Sequence, residues 1–418
     1  MSRLLDRHHV MVSGFNRHQS AIYLMTKSFR VHNNYGLYQS IQYAKKHGSR
    51  LKILVLEPYE LSERNRLFFL KYVDDLLEKL SVYSTHVRYI VREEFDVKCL
   101  SEAHIIFMDQ PYLNFDLTIF KQVKMFCLKS DTILMTIESN VCVPVLNVSD
   151  KAEYQARTFR PKIKHYLDEF TETVLNDAWW TKAEKEAWEL YQHFKHSKLE
   201  AYDKRNDPSK GIQSFLSPML KYGFISPVLI YLDLKERTDD STLAFLEELI
   251  VRRELAYNYV YYQAYDRFDT MTDNWAYKTM KLHECDQREY LYSMDDYLHF
   301  NTHDPYFNAS MIEMVFLGRM HPYMRMYWCK KIIEWSRTYQ EAYEISINLN
   351  NTYFYDGLTP NGYAGVAWCF GKHDRAWFER PIFGQLRYMN DRGLKRKFDI
   401  ETYVKQMNQI KEEGIYGI

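Results

Sequence analysis

Short apolar segments alternate with longer amphipathic segments along the first third of the chain. Residues 35–48 and 63–83 carry apolar positions at helical spacing. Between such segments lie apolar runs rich in β-branched residues, at 20–25, 51–58, 87–91, 104–110 and 132–138. The alternation predicts βαβ units around a mostly parallel sheet, which tends to bind planar ligands at the carboxyl ends of its strands. No G-x-G-x-x-G follows the first of these runs, so the dinucleotide-binding fingerprint is absent.

The pattern changes near residue 140, where long amphipathic segments replace the apolar runs. From about residue 200 onward, helical spacing is interrupted only by turn sequences such as 205–211, 302–308 and 355–365. The sequence therefore predicts three parts. They are an α/β domain over 1–140, a connector with the first helices of a second domain over 141–200, and a helical domain over 201–418.

Composition narrows the class of protein. The net charge of the 418 residues is zero, so no global field attracts a polyanion and a nucleic-acid surface has to be local. Aromatic content is 16%, which suits stacking on planar ligands, although most rings belong in cores. The six cysteines form no CxxC pair, and no HExxH occurs, so no metal site is predicted. Without a signal peptide or a membrane-spanning run, an intracellular protein is expected.

A local basic segment covers residues 372–397, with eight basic side chains against three acidic ones. Such a run is usually a solvated face. The overlapping segment 362–390 interleaves tryptophans with basic residues, a combination that suits base stacking beside phosphate contacts. His373 and Asp374 could serve acid–base chemistry, but a structural turn is favoured.

Two further segments leave alternatives open. Ser214 and Ser217 precede a helix with Pro218 in its first turn, where they could cap the helix or hold a phosphate; spacing favours the cap. Glu248 and Arg252 are four residues apart on a predicted helix. Either the two side chains form a surface ion pair, or Glu248 is a buried carboxylate that hydrogen-bonds a neutral ligand.

The segment 319–335, RMHPYMRMYWCKKIIEW, combines methionines, tryptophans and basic residues. Met324, Trp328 and Trp335 share one helical face, which favours the core. Lys330 and Lys331 are interpreted as solubilising surface residues. The following segment 346–357 ends in two asparagines and an Asp-Gly turn, and its amides are candidate caps.

A series of segments runs in order from about residue 150 to 400. These segments are EYQARTFRPKI (153–163), RNDP (205–208), LSPMLKYGFISP (216–227), FLEELIVRREL (245–255), REYLYS (288–293), THDP (302–305), MHPYMRMYWCKKIIEW (320–335), LNNTY (349–353), DG (356–357), NGYAG (361–365), HDRAWFERPIFGQLRYMN (373–390) and KRKFD (395–399). Taken together and in this order, they resemble the class II cyclobutane pyrimidine dimer photolyases. The first domain resembles the antenna domain of the same family more weakly.

The resemblance implies a Rossmann-like α/β antenna domain followed by an all-α domain that holds FAD. It implies that the reduced flavin, excited by blue or near-ultraviolet light, donates an electron to a pyrimidine dimer, whose cyclobutane ring then splits. No metal is needed and no net redox change occurs. The dimer must be flipped out of single- or double-stranded DNA, because it cannot meet a buried flavin inside the base stack. A DNA-associated cytoplasmic monomer is expected, with a deazaflavin or folate as a possible antenna chromophore.

Site residues follow from the resemblance position by position. Asn350 matches the asparagine near flavin N5, and Glu248 matches the glutamate that hydrogen-bonds the dimer and steadies its radical anion. With Trp328, they form the expected catalytic set. The expected FAD-binding residues are Ser214, Leu216, Ser217, Arg325, Asn350, Asp356 and Gly357. The expected DNA-binding residues are Glu248, Met326 and Trp368 around the lesion and Arg387, Lys395, Arg396 and Lys397 on the backbone.

The sequence departs from the family in its electron-transfer chain. Trp328 matches the tryptophan next to the flavin, but the family's DPxWN reads DPYFN here, so Phe307 stands where the second tryptophan is expected. Phenylalanine is much harder to oxidise than tryptophan or tyrosine, so a hole on Trp328 would move slowly or be diverted. The candidate acceptors are Tyr292, Tyr306 and Tyr327. We expect inefficient photoreduction of oxidised FAD but intact repair once the flavin is reduced.

Two other functions remain open at this stage. A cryptochrome-like flavoprotein would sense light without repairing DNA, and Phe307 favours it slightly, whereas Glu248, Asn350, Met326 and Trp368 favour repair. A non-catalytic DNA-binding protein with an unused nucleotide fold would need no flavin. The colour of the purified protein separates this last class from the other two.

Overall fold

The five predicted strands lie in one sheet together with a sixth, in a computed structural model that describes residues 4–176 and 178–417. The strands are β1 (His8–Val12), β2 (Ser20–Met25), β3 (Arg50–Leu56), β4 (His86–Ile90), β5 (Ala103–Asp109) and β6 (Ile133–Ile137). Their order is β1-β6-β5-β2-β3-β4, and every pairing is parallel except that of β1 with β6. The prediction of a mostly parallel sheet is therefore confirmed.

The edge strand β1 is the one that the apolar pattern does not predict. Its side chains are mostly part-exposed, so His8–Val12 lacks a continuous apolar run. The central strand β2, in contrast, is buried at all six positions because helices cover both faces of the sheet.

Helices of the α/β part follow the predicted segments with one exception. Asn34 caps the first helix by accepting from Leu37 N, and Gly48 ends it with a left-handed φ of 60°. The segment 63–83, expected as one helix, is broken at Tyr72, whose ring packs on Phe224 at 5.0 Å. The helices are α1 (Tyr35–His47), α2 (Glu63–Leu70), α3 (Val73–Leu80) and α4 (Asn114–Ser130), with short 3-10 turns at Leu4–Arg7, Arg92–Glu94 and Val97–Leu100.

The remainder of the described chain is helical, as predicted. Its first helices are α5 (Val145–Val148), α6 (Ala156–Phe170), α7 (Lys182–Ser197), α8 (Ser217–Lys221), α9 (Pro227–Leu234) and α10 (Asp240–Leu246), with a 3-10 helix at Leu199–Lys204. A π-helical segment (Glu247–Arg252) leads into α11 (Arg253–Tyr262), α12 (Asn274–Leu282), α13 (Met294–Leu298), α14 (Pro305–Leu317) and α15 (Pro322–Trp335). The last are α16 (Tyr339–Tyr353), α17 (Pro360–Cys369), α18 (Asp391–Lys397) and α19 (Ile400–Glu413). Within the described residues, no helix is both long enough and apolar enough to cross a membrane.

Buried polar contacts fix the segment around α8 against the sheet. The Arg30 guanidinium donates to Asn140 Oδ1 at 2.6 Å and to the Gly223 carbonyl at 2.8 Å. Lys221 Nζ lies 2.7 Å from Glu60 Oε1, and both side chains are buried. Because buried charges need partners, these contacts hold the helical part in a defined position on the carboxyl edge of the sheet.

Helix α15 contains both a confirmed and a wrong prediction. Met324, Trp328 and Trp335 are buried, as their shared face predicts. Lys330 and Lys331 are also buried, at 0% and 7% exposure, so the prediction that they lie at the surface is wrong. The physical reason is that each ammonium has an internal acceptor: Lys330 Nζ donates to the Cys369 carbonyl and Lys331 Nζ to Glu334 Oε2.

Candidate active site

A deep cleft opens between the segment Glu247–Leu255 on one side and helices α15, α16 and α17 on the other. It encloses about 1640 Å³, its open mouth included, and a second cavity of about 750 Å³ adjoins it across Tyr202, Glu248 and Asn361. The first is lined by the predicted residues Glu248, Arg325, Met326, Trp328, Asn350 and Trp368. The second is lined by Ser214, Leu216, Ser217 and Asp356. Side chains far apart in sequence thus come together, which a linear pattern alone cannot establish.

Glu248 reaches the cleft from the π-helical segment. The wider turn changes the spacing of an α-helix, so Arg252 Nε pairs with Glu247 Oε1 at 3.2 Å. Glu248 Oε1 instead accepts from Arg205 Nη2 at 3.3 Å. The Glu248–Arg252 ion pair therefore does not form, and the Glu248 carboxylate is exposed to the cleft rather than buried.

Arg205 is a cleft residue that the sequence reasoning did not single out. In the sequence, Arg205 is marked as a candidate site residue only by its place in the RNDP segment (205–208), one of the segments that carry the family resemblance. It lies over the ring of Tyr202, with the guanidinium carbon 4.9 Å from the ring centre. This contact holds the Arg205 guanidinium beside the carboxylate of Glu248.

Arg325 and Asp356 form an ion pair at the junction of the two cavities. Arg325 Nη2 donates to both carboxylate oxygens of Asp356, at 2.8 and 3.1 Å. The guanidinium also lies 3.9 Å from the ring centre of Phe354, the residue that ends α16. The pair is thus held by a charge-assisted hydrogen bond on one side and a cation–π contact on the other.

The two adjacent asparagines of α16 are buried hydrogen-bonding residues within the helix. Asn350 Nδ2 donates to Asn351 Oδ1 at 2.9 Å, and the same oxygen accepts from Leu358 N at 3.0 Å. Asn351 therefore fixes the turn after the helix as well as the amide of Asn350. A Cβ at Gly362 would lie 2.6 Å from Asn350 Nδ2, so glycine at this position makes room for that amide.

Glycines also shape the tight turn and the cleft wall. A Cβ at Gly357 would lie 2.7 Å from the Asn350 carbonyl oxygen, so the turn needs glycine there, although Gly357 itself lies outside the cleft lining. Gly365 does line the cleft, and a Cβ there would meet no atom within 4 Å. A side chain at Gly365 would therefore project into the open cleft.

Helix α8 lacks the serine cap that was favoured from the sequence, because Leu216 occupies the capping position. It spans only Ser217–Lys221, and no side chain caps its first turn. Ser214 Oγ accepts from Leu216 N at 3.4 Å, a local turn contact. The cap interpretation is therefore wrong, and both serines instead line the inner cavity.

Trp328 is buried behind the cleft wall, and the predicted aromatic residues continue away from it. Its Nε1 lies 3.1 Å from Met311 Sδ, one helical turn from Phe307 on α14. The Phe307 ring contacts Trp335 with the ring centres 5.1 Å apart, and Trp335 contacts Tyr292 at 5.2 Å. Tyr292 Oη and His303 Nδ1 are 2.7 Å apart. A continuous series of rings thus runs from the buried Phe307 to the part-exposed Tyr292.

The other two candidate tyrosines have different surroundings. Tyr327 is buried and donates its hydroxyl to Asp304, and burial together with the charge of Asp304 raises the pKa of that phenol. Tyr306 donates to Glu401 Oε1 at 2.6 Å. Each phenol therefore has a carboxylate rather than an imidazole as its proton acceptor.

Arg387 lies at the mouth of the cleft between two tryptophans. Its guanidinium carbon is 5.0 Å from the ring centre of Trp368 and 4.1 Å from that of Trp377. Its Nε donates to Asp374 Oδ2 at 3.0 Å. Burial opposes ionisation of Asp374, but the hydrogen bond from Arg387 keeps the pKa of that carboxyl below its ordinary value. Arg387 is therefore a fixed, stacked side chain outside the cleft lining.

The remaining basic residues predicted to contact DNA are on α18. Lys395, Arg396 and Lys397 are exposed, and Lys397 Nζ donates to Tyr323 Oη at 2.8 Å. They lie outside the lining of the cleft. Their position is that of an outer basic surface on the helical part.

His373 lies in a turn beside the cleft, with a left-handed φ of 60°. Its Nδ1 donates to the Tyr154 carbonyl at 2.7 Å. Burial lowers the pKa of the imidazole from its ordinary value of 6.5 to about 4. Among the described residues, no group of three or more His, Cys, Asp or Glu side chains is placed to hold a metal ion.

Comparisons with known proteins identify the family of the chain. The DNA photolyase family model matches residues 21–184. The chain is 45% identical over 312 residues to a deoxyribodipyrimidine photo-lyase of Methanothermobacter thermautotrophicus, covering 67% of this chain and 69% of the relative. It is 38% identical over 319 residues to the one of Oryza sativa subsp. japonica, covering 66% of this chain and 63% of the relative.

Solved structures share the fold at lower identity. An archaeal photolyase of Sulfolobus tokodaii, described with two FAD molecules, has a TM-score of 0.68 at 14% identity, over 94% of this chain and 91% of that one. A cryptochrome of Synechocystis sp. PCC6803 has a TM-score of 0.72 at 14% identity, over 95% and 90%. At such identities the likeness establishes the fold alone, and photolyases and cryptochromes share it.

The identity to the archaeal relative over more than two thirds of its length is decisive for the family. The predicted fold, family and enzyme class are confirmed by these comparisons. Membership of class II stays a prediction. The chain belongs to the DNA photolyase family.

Proposed function

We propose that this chain is a class II photolyase that holds FAD in the inner part of the cleft and a flipped-out pyrimidine dimer at its mouth. The observation that carries the proposal is the convergence of Glu248, Met326 and Trp368 with Arg325 and Asn350 on one cleft. Light-driven repair of pyrimidine dimers, predicted from the sequence, is the activity of relatives named deoxyribodipyrimidine photo-lyase.

The cleft fits a flavin cofactor in shape and in chemistry. Gly365 leaves the cleft free of a side chain, and the adjoining cavity provides room for the part of FAD beyond its ring system. The Arg325–Asp356 pair and the Asn350 amide offer polar groups to the edge of a ring, and Ser214 and Ser217 offer hydroxyls to phosphates. When bound and reduced, FAD would supply the light-excited electron for ring splitting. The DNA photolyase family model and the two FAD molecules of the Sulfolobus protein support this cofactor.

The residues around the proposed flavin are held in place before any ligand arrives. Asn351 orients the Asn350 amide, and the Phe354 ring and Asp356 orient the Arg325 guanidinium. Fixed dipoles cost no reorganisation when charge moves in the site, which is how a protein stabilises a transient charge most effectively. Asn350 and Arg325 are accordingly proposed to set the electrostatics at the flavin ring.

The mouth of the cleft suits a flipped pyrimidine pair. Met326 presents an apolar, polarisable side chain, and Trp368 presents a flat ring that is backed by Arg387. Glu248 offers carboxylate oxygens, which accept hydrogen bonds from pyrimidine N–H groups, and Arg205 beside it offers donors for carbonyl oxygens. The two together can satisfy both types of polar group on the dimer.

DNA is proposed to lie over the cleft mouth on a local basic surface. Arg387 is fixed between Trp368 and Trp377 by the Asp374 carboxylate, while Lys395, Arg396 and Lys397 present exposed basic side chains from α18. Because the net charge of the chain is zero, this surface rather than a global field must supply the attraction to phosphates. Since one chain supplies all walls of the cleft, we propose a monomer that acts on DNA inside the cell.

A second chromophore is proposed at the carboxyl ends of the strands. A narrow cavity lies there against the helical part, lined among others by Lys27, Asp109, Glu138 and Asn140. Open α/β sheets bind ligands at this edge, and polar side chains of both charges would suit a deazaflavin or a folate. The light-harvesting cofactor named for the Sulfolobus protein supports an antenna in this fold.

A cryptochrome-like sensor is the second candidate function. The specific observation that favours it is Phe307, which interrupts the expected tryptophan chain. Glu248 and Trp368 favour repair, because a sensor has no need for hydrogen-bonding and stacking groups shaped to a dimer. The test is incubation of the chemically reduced protein with an oligonucleotide containing one thymine dimer, with and without blue light. We expect light-dependent loss of the dimer, and intact dimers with a fully loaded, reduced protein would contradict the proposal.

A further inference from the structure

Two cysteine thiols meet in the wall of the cleft. Cys329 is on α15 and Cys369 is the last residue of α17, and the Cys369 sulfur contacts α15 at the Met326 carbonyl, one helical turn before Cys329. Both residues are buried, at 1% exposure each, and their helices pack against each other. Cys329 lies along the cleft lining, whereas Cys369 does not.

The surroundings of the pair are polar in an otherwise apolar wall. Cys329 Sγ lies 3.5 Å from Ser346 Oγ, and Cys369 Sγ lies 4.0 Å from the Met326 carbonyl oxygen. Neither contact is strong enough to explain why two thiols face each other here. A pair of buried hydrophobes would serve packing equally well at these two positions.

Lys330 adds a positive charge to this pair. It is fully buried, and within the described residues no carboxylate forms an ion pair with it. Its Nζ donates to the Cys369 carbonyl, at the negative end of the α17 dipole. Burial lowers the pKa of this ammonium, whose other neighbour is the Phe383 ring at 5.9 Å, and a nearby thiolate would offset the cost of burying the charge.

The two thiols are not equivalent. Burial opposes ionisation of both, but the polar neighbours Cys369 and Ser346 and the charge of Lys330 lower the pKa of Cys329. Burial and the proximity of Cys329 raise the pKa of Cys369. Since the thiolate is the nucleophile in thiol chemistry, Cys329 is the attacking residue and Cys369 the resolving one.

We propose that Cys329 and Cys369 are a redox-active pair that closes into a reversible disulfide across α15 and α17. With a hydroperoxide as oxidant, the Cys329 sulfur attacks one peroxide oxygen, becomes a sulfenic acid and releases water or an alcohol. The Cys369 sulfur then attacks the Cys329 sulfur, the S–S bond forms, and the hydroxyl leaves as water with the Cys369 proton. The two thiols thus lose two electrons, the peroxide gains them, and a dithiol restores both thiols.

The disulfide would connect the two helices that carry the mouth of the cleft. Cys329 follows Met326 by three residues, and Cys369 directly follows Trp368. Closing the bond therefore fixes these two side chains relative to each other. This property goes beyond light-driven repair.

Peptide mapping tests the pair directly. Trypsin releases Cys329 in the peptide 326–330 and Cys369 in the peptide 338–372, and each contains a single cysteine. The purified chain is treated with hydrogen peroxide, its remaining thiols are alkylated under denaturing conditions, and the digest is compared with and without dithiothreitol. We expect the two peptides to be joined and to separate on reduction.

Two matched cysteine variants and an internal control for oxidation make the peptide map decisive. Cys127→Ser removes another buried thiol and should leave the cross-link intact, whereas Cys369→Ser should abolish it. The exposed Cys285 reports that the oxidant has acted. Recovery of peptide 326–330 unlinked after Cys285 is oxidised, or its linkage to any other cysteine, would overturn the proposal. If Cys369→Ser fails to fold, the wild-type map decides alone.

Discussion

The rings of Phe307 and Trp335 meet edge to face, with their centres 5.1 Å apart. Trp335 in turn contacts Tyr292, whose hydroxyl is 2.7 Å from His303 Nδ1. The series runs from the buried helix α14 to a part-exposed tyrosine with a proton acceptor. Only its first member, a phenylalanine, is too hard to oxidise to carry a hole. We therefore expect Phe307 to limit the supply of electrons to the site.

Phe307→Trp should accelerate light-driven reduction of oxidised FAD several-fold, because an oxidisable ring would then lie between Met311 and Trp335. Flavin absorbance under continuous blue light measures this rate. The larger ring costs about 1–3 kcal/mol in a packed core, so the free energy of unfolding is measured alongside. Phe316→Trp, on the same helix but packed on Phe300 and Tyr416, is the matched control. Equal rates for Phe307→Trp and wild type would show that Phe307 is not limiting.

Tyr292→Phe should slow the same photoreduction in the Phe307→Trp background. Loss of the hydroxyl removes both the oxidisable phenol and its proton transfer to His303. Tyr306→Phe removes a phenol that is bonded to Glu401 instead, and serves as the comparison. Transient absorption of a tyrosyl radical provides the measurement. Persistence of that radical in the Tyr292→Phe variant would assign the terminal donor elsewhere.

Two glycines of α17 should respond in opposite ways to alanine. Gly362→Ala places a Cβ 2.6 Å from Asn350 Nδ2, so we expect a loss of about 1–3 kcal/mol in unfolding free energy and weaker FAD retention. Gly365→Ala meets no atom within 4 Å, so we expect a gain of roughly 0.5–1 kcal/mol for the protein without cofactor. Because that methyl group projects into the cleft, Gly365→Ala should still bind FAD less tightly. Unchanged FAD affinity in Gly365→Ala would mean that the flavin lies elsewhere.

The fold was largely predictable from the sequence because apolar runs and helical spacing directly reflect burial. The edge strand His8–Val12 was not predicted, because partly exposed strands lack continuous apolar runs. Site residues converge only in three dimensions, so Ser214, Glu248 and Asn350 could be proposed together only through family resemblance. The prediction that Lys330 and Lys331 lie at the surface is wrong. A sequence does not reveal that a buried carbonyl or carboxylate will accept a hydrogen bond from a lysine.

His373 should make stability depend on pH. The folded imidazole has a pKa of about 4, whereas the unfolded one titrates near 6.5. Below pH 6.5 the unfolded chain binds a proton that the folded chain does not, so stability is complete above that pH and falls as the pH decreases toward 4. The loss is at most about 3 kcal/mol.

Urea unfolding across this pH range measures the effect. His373→Asn retains a residue that tolerates the left-handed backbone and removes the titration. The variant should therefore show a shallower decrease in unfolding free energy between pH 6.5 and 4. An identical slope for the two proteins would assign the proton uptake to other groups.

The most direct test of the central claim is the repair yield of Glu248→Gln at fixed FAD occupancy. The substitution keeps the size of the side chain and removes the carboxylate that faces the cleft beside Arg205. Losing one charge-assisted hydrogen bond to the dimer should lower the yield per absorbed photon by about tenfold, with the flavin spectrum unchanged. Wild-type repair by the fully loaded variant would contradict the assignment of this cleft to the dimer.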